Sequence, residues 1–285
     1  MNRAVALALL AVAAADARAL QASDDRGITV SLARPAQRVV ALAPHLSEIA
    51  FAAGAGASLV GVSSFSRHPA EAGRLPVVAN AGRIDIERVI ALRPDLVLAW
   101  QSGNSPLQIA RVERIGIPAF VTEVRALADI PRIIRSIGAL IGSSELAEAR
   151  ARDFEAEVGR LRERSAGKRR VSVLLEIWHR PLLTVSGAHL ISDALDVCGG
   201  RNVFAGARAL TPLVSREQIL DAQPEAIVTS GFGSEAPSAW KGLEPVPAVR
   251  EHRVYAIDPD LLYAQGPSLL QGVRVLCDRL DLVRN

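Results

Sequence analysis

One helix–turn–strand pattern occurs twice in this chain, and a duplication of that kind sharply limits the folds open to it. Residues 86–100 read IERVIALRPDLVLAW and residues 216–231 read REQILDAQPEAIVTSG. In each copy a glutamate, Glu87 or Glu217, is followed seven positions later by a proline, Pro94 or Pro224. An acid comes next, Asp95 or Glu225, and then an apolar run suited to a buried strand. Proline cannot continue the helix before it and pushes its predecessor out of the α region. Each copy therefore reads as a short amphipathic helix, a tight turn and a strand. Two copies, with their glutamates 130 residues apart, imply two similar lobes.

The remaining pattern alternates in the same way. Strands are predicted at 28–32, 38–42, 59–62 and 117–121, with helices at 46–53 and 106–115. A second series has strands at 170–178, 182–185 and 253–257 and helices at 187–197 and 267–283. Strands alternating with helices of about ten residues build mostly parallel sheets covered on both faces. Ser47 could cap the 46–53 helix, though Glu48 comes one position on, not three, so no capping box forms. Asp129 is the expected cap of a helix over 129–141, which tolerates Pro131 in its first turn. Residues 145–164 follow, rich in Ala, Glu and Arg, free of proline, and with Glu148 and Arg152 spaced to pair. That helix is too long and polar for an ordinary crossover and reads as a strut between lobes. The expected fold is α/β: two Rossmann-like lobes with mostly parallel sheets, one long backbone helix between them, and a ligand cleft. The expected division is a signal peptide at 1–22, an N-terminal lobe at 23–128, a helical segment at 129–168 and a C-terminal lobe at 169–285.

In open α/β sheets, ligands bind outside the carboxyl ends of the strands. That places Pro44, His45, residues 63–69 and residues 100–104 on one rim. The facing rim holds Trp178, His179 and Arg180, residues 230–233, and residues 258–265 with Tyr263. The Gly54-Ala55-Gly56 run is no dinucleotide fingerprint. It follows a helix, precedes a strand and lacks the third glycine.

Met1-Asn2-Arg3 is a short positive segment, and residues 4–15 form an apolar run too short to span a bilayer. Small residues Ala17 and Ala19 offer cleavage before Leu20, and a second site lies before Ser23. No cysteine is near enough for a lipid anchor, so the mature chain is expected to be soluble, periplasmic and released by a cleavable signal. A hydrophobic content of 49% with 22% charge describes a chain with a real core. Net charge is only +3, and the one basic run, Lys168-Arg169-Arg170, falls where the long helix should end and can offset its dipole. With no aromatic-interleaved basic stripe, nucleic acid is not an expected partner. The two cysteines, Cys198 and Cys277, are even in number, which in an exported chain favours a disulfide over two buried thiols. None of the five histidines sits at ligand spacing from another, so no metal site is expected. Gly-x-Ser-x-Gly is absent and no nucleophile has a base close in sequence, so no enzyme is expected.

An exported two-lobed α/β chain without a catalytic set fits a binding protein with its ligand between the lobes. The segments RVVALAPHLSEIAFAAG, VGVSSFSRHP, IERVIALRPDLVLAW, LDVCGGRNVF and VSREQIL resemble the vitamin B12 (cobalamin)-binding branch of the periplasmic substrate-binding proteins of bacterial ABC importers. That branch belongs to the helical-backbone (class III) group, whose other members carry ferric siderophores and haem. The resemblance implies that Glu87 and Glu217 dock onto arginines of the ABC permease, and that Cys198 and Cys277 form the family's disulfide. It places Phe65 where the family has a tyrosine against the corrin, Trp100 on a cleft tryptophan, and Asp260 at the start of a lining segment. Trp178, His179, Arg180 and Tyr263 complete the expected ligand set. The chain departs from the branch at Ala81, Thr211 and Leu261, which stand where it has tryptophans. Trp178, Tyr263 and Phe232 are the candidates to compensate, while Arg83, Arg180 and His179 could instead face ligand carboxylates. The expectation is a monomer that carries cobalamin or a related corrinoid as its transported ligand, with no resident cofactor. The alternatives are a ferric-siderophore or haem binder on the same fold and, from another class, a secreted hydrolase or metal-dependent enzyme, which no motif supports.

Overall fold

The computed structural model describes residues 19–80, 82–229 and 238–285. An antiparallel hairpin of β1 (Leu20–Ser23) and β2 (Thr29–Leu32) opens the chain. The first lobe follows as β3 (Val39–Ala41), α1 (Pro44–Ala52), β4 (Leu59–Ser63), β5 (Val77–Asn80), β6 (Arg83–Ile84), α2 (Ile86–Ala91), β7 (Leu96–Trp100), α3 (Pro106–Arg114) and β8 (Ala119–Thr122). Its sheet runs β6-β5-β4-β3-β7-β8, and every pairing is parallel except that of the two-residue β6. Helices α4 (Asp129–Ile141) and α5 (Ser144–Ser165) lead to the second lobe.

That lobe consists of β9 (Val171–Trp178), β10 (Leu183–Thr184), α6 (Leu190–Val197), β11 (Gly200–Asn202), α7 (Arg216–Ala222), β12 (Ala226–Thr229), α8 (Pro247–Arg250), β13 (Val254–Ala256), α9 (Pro259–Leu262) and α10 (Leu269–Arg284). Its sheet runs β10-β9-β12-β13, with β11 parallel to the start of β9. The fold is the expected two-lobed α/β arrangement with mostly parallel sheets.

Both sheets are buried on both faces, and the side-chain period of two divides their residues between separate cores. In the first lobe Val39, Ala41, Leu96 and Leu98 face one core, while Val40, Leu42, Val97 and Ala99 face another. In the second lobe Val173, Leu175, Ala226 and Val228 join the first of these cores, and Leu174 and Ile227 face a third. One apolar core is therefore common to both lobes. It continues through Ile130, Ile134 and Ile137 of α4, Phe154 and Leu161 of α5, and Leu276 and Leu280 of α10.

Helix α5 is the strut that the sequence predicts. At its start the Ser143 hydroxyl donates to the Ala53 carbonyl at the end of α1. At its end Arg164 pairs with Asp278 at 2.7 Å and Asp281 at 3.0 Å on α10. Close packing of α4 on α5 requires glycine at 138, where an added Cβ would lie 2.2 Å from that of Ala147. The exposed basic run after α5 pairs with acids of the second lobe: Lys168 with Asp281, Arg169 with Glu225 and Arg170 with Asp196. Cys198, which ends α6, is disulfide-bonded to Cys277 of α10.

Two candidate caps are corrected. Helix α1 begins at Pro44, so Ser47 lies inside it and donates to the Pro44 carbonyl at 2.6 Å. Proline supplies the first turn there, where a missing N–H costs nothing. Asp129 is the first residue of α4 and not its cap. Its carboxylate accepts the N–H groups of Arg125 and Ala126, both at 2.9 Å, and so fixes the turn that enters the helix.

Candidate functional site: a cleft between the lobes

The carboxyl ends of β3, β4 and β7 point toward the segment after β13, and the space between is a cavity of about 430 Å³. This volume falls within the range of small-molecule sites. After β3 comes His45, in the first turn of α1. After β4 comes Phe65, held at φ 65° and 71% exposed, an apolar ring left unpacked at the mouth. The Arg67 guanidinium lies over that ring at 5.5 Å and reaches across the cleft to Asp260 at 4.0 Å.

Trp100 ends β7 and is held by the loop into α3. The Asn104 side chain accepts the Trp100 N–H at 2.7 Å and donates to the Leu42 carbonyl at 3.1 Å, clamping the loop to β3. The Trp100 ring lies down on Gly103, whose missing Cβ would sit 1.7 Å from it. His45 meets Trp100 edge to face at 5.3 Å. Burial pushes the His45 imidazole down to about 3, so it is neutral at ordinary pH.

Opposite, a polar contact joins the lobes. Glu48 of α1 accepts from the Ser268 N–H and, at 2.9 Å, from the Ser268 hydroxyl at the start of α10. Burial raises the Glu48 carboxyl above its ordinary value despite these bonds and the nearby His68, which act the other way. Tyr263 donates to the Glu176 carbonyl at 2.8 Å, anchoring the segment after α9 to β9.

Of the residues expected to meet a ligand, Phe65, Trp100, Asp260 and Tyr263 line this cavity together, two from each lobe. Trp178, His179 and Arg180 do not line it. Trp178 is 59% exposed and donates its indole N–H to the Arg180 carbonyl at 2.8 Å. His179 Nδ1 lies 2.7 Å from the buried Glu176 carboxylate, and its ring packs edge-on to Trp240 at 5.8 Å. Arg83 lines a separate groove on the first lobe beside Glu87. Phe232, the rest of the 230–233 loop, Ala81 and the leader over residues 1–18 lie outside the described residues. The sequence alone gives Glu48 no role, and Arg67 and Gln265 enter only as members of the rim segments 63–69 and 258–265. The available signal was position: Glu48 and Arg67 each come soon after a strand's carboxyl end.

The repeated units have matching internal bonds. Asp85 caps α2 by accepting the Arg88 N–H at 3.0 Å, and Ser215 caps α7 by accepting that of Gln218 at 3.3 Å. Glu87 and Glu217 are each the second residue of their helix, with Val89 and Ile219 buried two positions on. Arg93 and Gln223 take left-handed φ of 47° and 43° before the prolines. The acid after each proline clamps the lobe's first central strand. Asp95 accepts the Gln37 and Arg38 N–H groups, each at 2.9 Å, beside β3, and Glu225 accepts the Ser172 N–H in β9 at 2.9 Å.

A two-lobed parallel α/β chain with a cleft at facing strand ends defines a class of extracytoplasmic carriers. This chain belongs to the periplasmic binding protein family, whose pattern matches residues 39–261. Among its relatives, the vitamin B12-binding protein of Vibrio parahaemolyticus is 34% identical over 251 residues, covering 88% of this chain and 91% of that one. The vitamin B12-binding protein of Pectobacterium carotovorum is 37% identical over 254 residues, with the same coverage. Among solved structures, the periplasmic vitamin B12 binding protein BtuF of Vibrio cholerae superposes with a TM-score of 0.80 at 32% identity, covering 88% of this chain and 99% of that one. The periplasmic heme-binding protein RhuT from Roseiflexus superposes at 0.77 with 25% identity, covering 87% and 99%.

Proposed function

We propose that this chain binds cobalamin or a related corrinoid in the inter-lobe cleft and delivers it to an ABC importer. The observation that carries the reading is the convergence of Phe65 and Trp100 from one lobe with Asp260 and Tyr263 from the other on one cavity. Binding is non-covalent: the aromatic faces grip the macrocycle and the rim groups meet its amide side chains. Trp178, His179 and Arg180, beyond the cavity on the second rim, meet the ligand's periphery. Glu87 and Glu217, one glutamate per lobe in equivalent settings, dock onto cationic side chains of the permease. The relatives named for vitamin B12, at 34% and 37% identity, support this choice over haem or a ferric siderophore.

The protein works as a periplasmic monomer. Cleavage of its leader before Leu20 preserves β1, whereas cleavage before Ser23 removes three of that strand's four residues. The intact mass of the exported protein distinguishes the two. For the ligand, the test is titration of cyanocobalamin, haemin and a ferric hydroxamate, read by tryptophan fluorescence and the ligands' visible spectra. Micromolar or tighter binding of cyanocobalamin alone is expected. Haemin or hydroxamate binding with no corrinoid affinity below about 10 μM overturns the reading.

A further inference from the structure

Three of the side chains that line the cleft carry a buried polar atom without a partner among the described residues: His45 Nε2, Trp100 Nε1 and Gln265 Oε1. Buried polar groups in folded proteins are nearly always bonded, so three orphans around one cavity mark groups whose partners come from outside the chain. Their chemistry differs in kind. The indole N–H of Trp100 only donates, the Gln265 oxygen only accepts, and a neutral imidazole nitrogen does whichever its tautomer allows. Resting on the corrinoid reading, we propose that these groups, from the two sides of the cleft, recognise a primary carboxamide of the ligand and reject a carboxylate in the same place. A carboxamide oxygen accepts from Trp100 while its NH₂ group donates to Gln265 and His45. Such a group offers a partner of the right kind to each of the three. A carboxylate offers no hydrogen and leaves Gln265 Oε1 unpaired.

The charges around the cavity point the same way. Among the described residues lining it, Arg67 is the only arginine or lysine, and it already faces Asp260 at 4.0 Å. Glu48 and Asp260 bring two carboxylates to the same cavity. His45, pushed down to about 3 by burial, adds no positive charge at neutral pH. A ligand carboxylate beside Trp100 and Gln265 would lose its water among groups that carry no fixed cation, the other basic lining residues being the largely exposed Arg67 and His68, and that loss is costly where the effective dielectric is low. The amide-bearing rim of a corrin suits such surroundings, and the acidic edge of a porphyrin does not.

The test compares cyanocobalamin with its monocarboxylic acids, each having one side-chain amide hydrolysed, at pH 7.5 and by the same optical titration. At least one acid is expected to bind about tenfold or more weakly than the parent, the consequence of an unpaired buried acceptor. Gln265→Met should abolish most of that difference, while Trp100→Phe should weaken amide and acid alike and leave their ratio intact. Both variants are checked by thermal melt against the parent. All mono-acids binding as tightly as cyanocobalamin, or Gln265→Met retaining full discrimination, would overturn the amide inference alone. Failure of cyanocobalamin itself to bind would overturn the corrinoid reading and this inference with it.

Discussion

Trp100 holds its place because residue 103 has no side chain. A methyl group at 103 would fall inside the indole, so Gly103→Ala must displace the ring that forms one wall of the cleft. About a tenfold loss of ligand affinity is expected, comparable with losing one good aromatic contact, while residue 103 itself does not line the cavity. Unchanged affinity in a calorimetric titration would show that Trp100 is not part of the site. Two other cleft residues make opposite predictions about pH. His45 titrates near 6.5 when unfolded and near 3 when folded, so between those values the unfolded chain binds the extra proton. Stability is therefore lost as pH falls through that window, and His45→Phe should lose less on going from pH 7 to pH 4. Glu48 behaves in reverse. Its folded value is raised above 4.5, so the folded chain keeps a proton that the unfolded chain has released, and stability falls as pH rises through that window. Glu48→Gln, which can still accept from Ser268, should raise the melting temperature at pH 7 and leave it unchanged well below pH 4.5.

At the scale of elements, the duplicated unit was the most legible part of the chain, and its bonds explain why. Proline stops each helix and the acid after it accepts backbone N–H groups at the lobe's first central strand, so that part of the pattern survives as letters. The left-handed turns at Arg93 and Gln223 were not legible, because neither residue type advertises that conformation. Strands β5, β6 and β11 were also missed. They are short, and Gly200 opens β11 directly after a helix end. Strand β1 was hidden in a stretch that also reads as a cleavage site. Equivalence of the two units makes the docking proposal sharp. Glu87→Ala combined with Glu217→Ala should abolish uptake through the reconstituted importer and leave corrinoid affinity as it was. A drop in affinity would place these residues in ligand binding instead.

For the molecule as a whole, the parallel sheets and the two rims could be read from alternation alone, because a parallel sheet has one carboxyl edge. Which part of the second rim meets the first could not. The positions of Asp260, Tyr263 and Gln265 depend on how the lobes are set against each other, and that is decided by the shared core and by Glu48 reaching Ser268. A core continuous through α4, α5 and α10 also limits motion. Closure on ligand binding should stay below about 20°, measurable by scattering or by solving free and bound forms. The disulfide adds to this. Cys198 and Cys277 are 79 residues apart, and closing such a loop stabilises by about 4–5 kcal/mol on the chain-entropy account. Cys198→Ala with Cys277→Ala should lower the unfolding free energy by that order in a denaturant titration, and an unchanged midpoint would contradict it.

The last helix has a consequence for how the molecule comes into being. Helix α10 supplies Leu276 and Leu280 to the core common to both lobes, Cys277 to the disulfide, and side chains that hold the end of α5. Ser268, immediately before it, receives Glu48 from the other lobe. A chain emerging N-terminus first, from a ribosome or through a translocation channel, thus completes its second lobe, and closes the Glu48–Ser268 contact between lobes, only when this segment arrives.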